Sequence, residues 1–176
     1  MNDIRTLEFS NGSLHLLDQR KLPHSREIYV CGTYEDVDFA IRDMVVRGAP
    51  AIGATAAYGV YLAAVEFQDL PKEAFFSKLR EACNVLIKSR PTAVNLSWAV
   101  RRMLALAESS SALSPVQIAE RLLKEARTIQ EEDVETNMRM GEHGNSLIPK
   151  KATILTHCNT GALATAGWGT ALGVVR

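Results

Sequence analysis

The densest group of reactive side chains lies near the end of this 176-residue chain, where ATILT (residues 152–156) runs into His157, Cys158, Asn159, Thr160 and Gly161. The β-branched run predicts a short strand. Asn-Thr-Gly predicts a tight loop, and ALATAGWGTALGVVR (residues 162–176) a small-residue helix. Strand, loop and helix in that order form the first unit of a parallel α/β sheet. In such sheets ligands bind beyond the carboxyl ends of the strands, where a helix N-terminus offers unpaired N–H groups and a positive dipole end. Cys158 falls at that point. A thiol so placed gives up its proton more readily and can act as a nucleophile or an acid/base group. A small buried residue at a strand end fits the same spacing. The glycines do not follow G-x-G-x-x-G, so a dinucleotide site is not supported.

A second candidate is Arg47-Gly48-Ala49-Pro50. An arginine at the end of one helix, a glycine and a proline-started helix make an anion pocket. The guanidinium offers a bidentate fork to phosphate, and the N–H groups of the new helix add to it. Arg90-Pro91-Thr92 repeats this grammar, and Asn95 and Trp98 lie one helical turn apart, a spacing that lets them line one pocket, though a core tryptophan fits as well. Two arginines at two such breaks can serve one phosphate if the fold brings the breaks together. The alternative for each is a surface arginine capping the preceding helix. The four histidines lack metal-ligand spacing such as H-E-x-x-H.

These groups must be carried by a frame, and the chain supplies one. Asn11-Gly12 between apolar runs predicts a two-residue hairpin turn, and EIYVC (residues 27–31) a third strand. Thr33 is a helix N-cap followed by Glu35 and Asp36. Val37, Ala40, Ile41, Met44 and Val45 form one apolar face that ends at Arg47-Gly48. AIGATAAYGVYLAAVEF predicts a closely packed central helix. Pro71 opens a third helix, a fourth covers about 93–108, and Ser114-Pro115 opens a long one that ends near Gly141 and Gly144. The acidic run 131–133 reads as a solvated face of that helix. The expected fold class is α+β: a β element over 1–32, a helical domain over 33–145, and over 146–176 the first strand–helix unit of a truncated Rossmann-like domain.

Composition narrows the partners. Twenty basic residues balance twenty acidic ones, which gives no electrostatic reason to expect nucleic acid or an anionic membrane. The apolar-rich stretches around 49–65 and 161–175 are short, small in side chain and broken by glycine, unlike membrane spans. The N-terminal residues lack the basic start and apolar run of a signal peptide. Cys31, Cys83 and Cys158 are odd in number and far apart, against a disulfide framework or zinc site, and Cys31 and Cys83 fall on apolar faces as core residues do. A reducing cytoplasm fits.

VRGAPAIG (46–53), RPTAVNL (90–96) and THCNTGALATAGWGTALGVVR (156–176), in that order, resemble the methylthioribose-1-phosphate isomerases, as does the opening LLDQRKLP (16–23). The resemblance covers essentially the whole chain. The wider superfamily includes ribose-1,5-bisphosphate isomerases and non-catalytic regulatory subunits of the exchange factor for initiation factor 2. RPTAVNL with CNTGALAT favours the methylthioribose branch. The resemblance implies an aldose–ketose isomerase of methionine salvage that uses no cofactor and acts on a small sugar phosphate. Cys158 matches the catalytic cysteine, and Arg47, Gly48, Ala49 and Arg90 match substrate-binding positions. It also implies a homodimer and a catalytic aspartate in a later segment outside this sequence. The chain is therefore expected to be an N-terminal half, inactive alone and completed by the other half, on a separate chain if the protein is split.

Overall fold

The computed structural model describes residues 5–176, so the first four residues of the N-terminal β element and of the leader reading lie outside it. Strands β1 (Leu7–Ser10) and β2 (Ser13–Leu17) pair antiparallel through Leu7↔Leu16 and Ser10↔Ser13. The turn between them holds Asn11 at φ 51° and Gly12 at φ 76°, the two left-handed residues that suit a twisted hairpin. Strand β3 (Ile28–Cys31) adds to β2 antiparallel, giving the order β1-β2-β3. Leu14, Leu16 and Cys31 turn inward and are fully buried.

Helix α1 (Tyr34–Arg42) starts at a capping box in which Thr33 accepts from the Asp36 N–H and Asp36 accepts from the Thr33 N–H. The apolar face expected to run to Val45 stops earlier. Asp43 is the C-cap, Met44 turns out at φ 60°, and the Val45 carbonyl accepts from the Gln19 N–H at 2.9 Å. Val45 is thus tied to the turn that follows β2 and lies beyond the end of α1.

Helix α2 (Ala49–Phe67) is the hub, buried along most of its length from Ala51 to Ala64. Its alanines and glycines let other helices approach closely. An added Cβ on Gly59 would meet Val37 at 2.8 Å. Helices α3 (Lys72–Ser89), α4 (Val94–Ser109) and α5 (Pro115–Asn145) pack around it. Helix α5 opens with a second capping box, Ser114 with Gln117, and Pro115 at its first position. It does not end at Gly141. Both late glycines lie inside the helix and admit a neighbour: a Cβ on Gly141 would meet the Gly173 oxygen at 2.9 Å, and one on Gly144 a Val174 methyl at 2.6 Å. The acidic run on α5 is also not uniformly solvated. Glu132 pairs with Arg102 at 2.6 Å, and Asp133 points into the protein.

The final segment departs most from expectation. Residues 152–156 are exposed and form no strand, because a strand needs a neighbour to accept its ladder hydrogen bonds and no described strand lies beside them. The long helix expected after them is reduced to a one-turn 3-10 helix (Ala162–Ala164) and the short α6 (Ala171–Val175). Between these, Trp168 at φ 60° and Gly169 at φ 98° turn the chain. The fold shown is a three-stranded sheet on a helical body. Among the described residues no helix is long and apolar enough to cross a membrane.

Candidate functional site

The RGAP and GALAT motifs meet backbone to backbone. Gly48 caps α2 at φ 92°, and a Cβ there would lie 2.4 Å from both Cα and O of Ala164. Only a residue without a side chain permits both this conformation and this approach. Ala49 begins α2 and is exposed, and no side chain caps the helix start. Arg47, just before Gly48, is exposed.

The second arginine lies at the break between α3 and α4. Arg90 is the half-buried C-cap of α3, and its carbonyl accepts from the Ala93 N–H at 2.9 Å as the chain turns into α4. The start of α4 packs on the start of α2, with a Cβ position on Gly53 only 3.1 Å from the Asn95 oxygen. Among the described residues neither Arg47 nor Arg90 is engaged in an ion pair. Both guanidinium groups are therefore available to an anion.

Between these helix starts and α5 lies a cleft of about 220 Å³ lined by Pro50, Gly53, Asn95, Trp98, Asp133 and Thr136. Asn95 and Trp98 do share one pocket, as their spacing suggested. Neither Arg47, Arg90 nor Cys158 lines it. Trp98 is half-exposed and carries the Arg102 guanidinium 5.5 Å from its ring centre.

Cys158 stands apart. It is exposed, at φ 63°, in a turn where the Thr156 and Thr160 hydroxyls are 3.0 Å apart and Asn159 Oδ1 accepts from the Gly161 N–H at 3.3 Å. The helix N-terminus expected behind the thiol is absent, since only the three-residue 3-10 helix follows. Cys31 and Cys83 are core residues, as their apolar faces suggested, and burial pushes each thiol up to about 12.

Two features escaped the sequence reading. The first is Asp133. Its Oδ2 accepts from the Ala166 N–H at 2.7 Å and its Oδ1 from Asn137 Nδ2 at 3.1 Å. Burial raises its carboxyl above the ordinary range despite these two bonds. The second is a larger cleft of about 780 Å³ whose walls include Phe9, Tyr58, Arg127, Val134, Met138 and Trp168. Tyr58 stacks on Phe9 at 5.0 Å, and its hydroxyl donates to Gln130 Oε1 at 2.6 Å. Its walls come from four separate segments, so no local pattern announces it.

Residues 45–176 match the model of the initiation factor 2 subunit family. The chain belongs to that family. It is 60% identical over its full length to a methylthioribose-1-phosphate isomerase of Caldanaerobacter subterraneus subsp. tengcongensis, and 58% identical to one of a Thermoanaerobacter species, spanning 51% of each. The chain thus spans about half the length of the curated relatives it matches. Among solved structures it superimposes on 5-methylthioribose 1-phosphate isomerase from Pyrococcus horikoshii with TM-score 0.93 and 42% identity, covering all of this chain and 49% of that one. It also superimposes on translation initiation factor eIF-2B, subunit delta, from A. fulgidus with TM-score 0.88 and 43% identity, covering 98% and 50%.

Proposed function

We propose that this chain forms the substrate-gripping side of a methylthioribose-1-phosphate isomerase, which interconverts 5-methylthioribose 1-phosphate and 5-methylthioribulose 1-phosphate in methionine salvage. The observation that carries the reading is the seating of Gly48 on Ala164, which joins two of the three motifs on which the resemblance rests. Chain-long identity to proteins bearing that name supports it.

In this reading Arg47 and Arg90 bind the phosphate or sugar hydroxyls, and the Gly48 and Ala49 backbone at the start of α2 adds N–H donors. The substrate's anomeric oxygen carries phosphate, so simple hemiacetal opening is blocked. Ring opening requires a proton on the ring oxygen while the phosphate stays in place. Hydrogen then passes from C2 to C1, by an enediol with proton transfer or by hydride shift. C2 is oxidised as C1 is reduced, so the redox balance closes within the substrate and the step calls for no cofactor. An acid/base pair near C1–C2 serves either route. Cys158 supplies one member. The other is an aspartate contributed from outside this sequence, and none of the chain's own aspartates takes that role.

The same reading makes residues 146–176 the start of a Rossmann-like domain, after a β element (1–32) and a helical domain (33–145). Ile154 and Leu155 are exposed, the latter almost fully, which suits a strand awaiting its neighbours. The active unit is this chain joined to the half that its relatives carry in addition, as a cytoplasmic homodimer. By itself the chain is expected to be inactive. The likeness to subunit delta of eIF-2B favours a non-catalytic second reading. An intact Cys158 within CNTG weighs against it, because a regulatory subunit has no use for the thiol.

Product analysis by NMR with methylthioribose 1-phosphate and ribose 1,5-bisphosphate, using the natural full-length protein, separates the isomerase classes from each other and from the regulatory reading. Cys158→Ala is expected to lower kcat by at least about a hundredfold, the scale of losing a positioned acid/base group. Arg47→Ala or Arg90→Ala is expected to raise KM at least about tenfold, the loss of one charged hydrogen bond. Wild-type kinetics in these variants would remove the assignments.

A further inference from the structure

The segment that follows Cys158 cannot hold itself in place. Its regular structure is one 3-10 turn, closed by the Ala164 N–H to the Gly161 oxygen at 3.0 Å and the Thr165 N–H to the Ala162 oxygen at 3.3 Å. A single helical turn is unstable on its own because fixing its dihedrals costs more than one or two hydrogen bonds return. Three side chains distant from it in sequence, two beside the β1–β2 hairpin and one on α5, grip it instead. Thr6 Oγ1 donates to the Ala162 oxygen at 2.7 Å, Gln19 Nε2 donates to the Leu163 oxygen at 2.7 Å, and the Ala166 N–H donates to Asp133 Oδ2 at 2.7 Å. Thr6 is fully buried and Gln19 nearly so. Asn137 Nδ2, donating to Asp133 Oδ1 at 3.1 Å, fixes the rotation of that carboxylate.

We propose that Asp133, together with Gln19 and Thr6, is a positioning residue: the three clamp residues 161–166 onto the start of α2 and thereby set where the preceding turn presents Cys158. The geometry is specific to that task. The three anchors fall within five consecutive residues, and the gripped backbone includes Ala164, the atom group on which Gly48 sits. The position of the cysteine turn relative to the two arginine-bearing helix starts therefore runs through this clamp. Asp133 is half-buried, and taking a carboxylate even partly out of water carries a cost that two neutral donors only partly return. The raised carboxyl of Asp133 agrees with that cost. Its use here is directional, because the carboxylate joins one N–H of the 161–166 segment to one amide of α5.

The inference rests on the isomerase reading for its catalytic consequence but not for its structural one, and the test keeps the two apart. In the natural full-length protein, Asp133→Ala is expected to keep the helical circular dichroism and a cooperative thermal transition. Hydrogen exchange of residues 160–170, read by mass spectrometry, should accelerate at least about tenfold, the scale of one lost charge-assisted hydrogen bond, while α2 and α4 keep their protection. On the methylthioribose substrate, kcat should fall about 10- to 100-fold, the cost of misplacing a reacting group by roughly an ångström, with KM changed less than about threefold. Asp133→Asn retains a side-chain oxygen that accepts from the Ala166 N–H, with the Asn137 amide still held through its bond to the residue-133 carbonyl oxygen at 2.8 Å, and should restore both exchange and kcat to within about threefold of wild type. Unchanged exchange at 160–170 in Asp133→Ala would overturn the proposal. So would Asp133→Asn as impaired in kcat as Asp133→Ala, because the charge rather than the grip would then matter. If Asp133→Ala does not fold, Gln19→Ala must show the same local acceleration, and failure of both to fold would assign these residues to general stability and end the proposal. Local acceleration in the variants of a wild type that isomerises nothing would leave the clamp standing and remove only the isomerase reading.

Discussion

The helical body and the segment from residue 146 to the end are built on opposite principles. Around α2, side chains from α1, α3, α4 and α5 bury one another completely, and the conformation is over-determined by packing. From 146 onward the chain keeps much of its surface in water, and its gripped stretch depends on a few long-range polar contacts and one glycine. Leu86 in α3 is fully buried, while Leu155 in the final segment is 97% exposed. The difference shows where the protein is rigid by itself and where its geometry is conditional. The arginine-bearing helix starts belong to the rigid part, and the proposed catalytic thiol to the conditional one.

The sharpest way to break this comparison is thiol chemistry. Cys158 should react with a maleimide reagent in the native protein at least about a thousandfold faster than Cys31 or Cys83, which are held as buried thiols and exposed only by opening events that cost several kcal/mol. Peptide mapping of the labelled protein checks this, and equal labelling of the three would refute a rigid body around α2. Next in size, Phe75→Ala should lower unfolding free energy in urea by about 3–5 kcal/mol, as for a fully buried aromatic. Leu155→Ser should stay within about 0.5 kcal/mol, as for a surface position. Gly48→Ala sits on the seam between the regions. It forces a Cβ into the Ala164 backbone at an unfavourable φ, for about 2–4 kcal/mol. Hydrogen exchange should show that penalty as lost protection at 160–170 before any loss in α2.

A smaller effect than those of Phe75 and Gly48 concerns Asp18, almost wholly buried, whose carboxylate is forked by Arg20 at 2.9 and 2.7 Å. The Arg20 guanidinium, through these hydrogen bonds, holds the Asp18 carboxyl below its ordinary value. A carboxyl lowered in the folded state stabilises it above the unfolded carboxylate value near 4, and that contribution is lost as pH falls through the lower folded value. Asp18→Asn should therefore cost about 1–2 kcal/mol at neutral pH. The gap between its melting curve and that of the wild type should close under acid. A gap that persists unchanged at low pH would show that the pair does not act through charge.

Much of the helical body was legible in advance because its signals are local. Asn11-Gly12 makes a hairpin turn, and the capping boxes at Thr33 and Ser114 are complete, because each is decided by hydrogen bonds spanning three or four residues. The early end of α1, the persistence of α5 through Gly141 and Gly144, and the inward turn of Asp133 were not legible. Each depends on a partner far along the chain: Gln19 for Val45, Gly173 and Val174 for the late glycines, and Ala166 for Asp133. Among the site residues, the Arg47-Gly48-Ala49 and Arg90 breaks were readable as breaks, but the close approach of Gly53 to Asn95 between the helices they open was not.

The sequence by itself determined the cap-and-break grammar that places two arginines at helix boundaries, the burial of Cys31 and Cys83, and the motifs that tie the chain to its family. Tertiary structure alone decided that Gly48 meets Ala164, that Asp133 grips Ala166, and that residues 152–156 stay unpaired. The reason is the range of the forces involved. Caps, turns and amphipathic faces are settled within a few residues, whereas a close approach, a buried carboxylate or a strand is settled only by what lies on its other side.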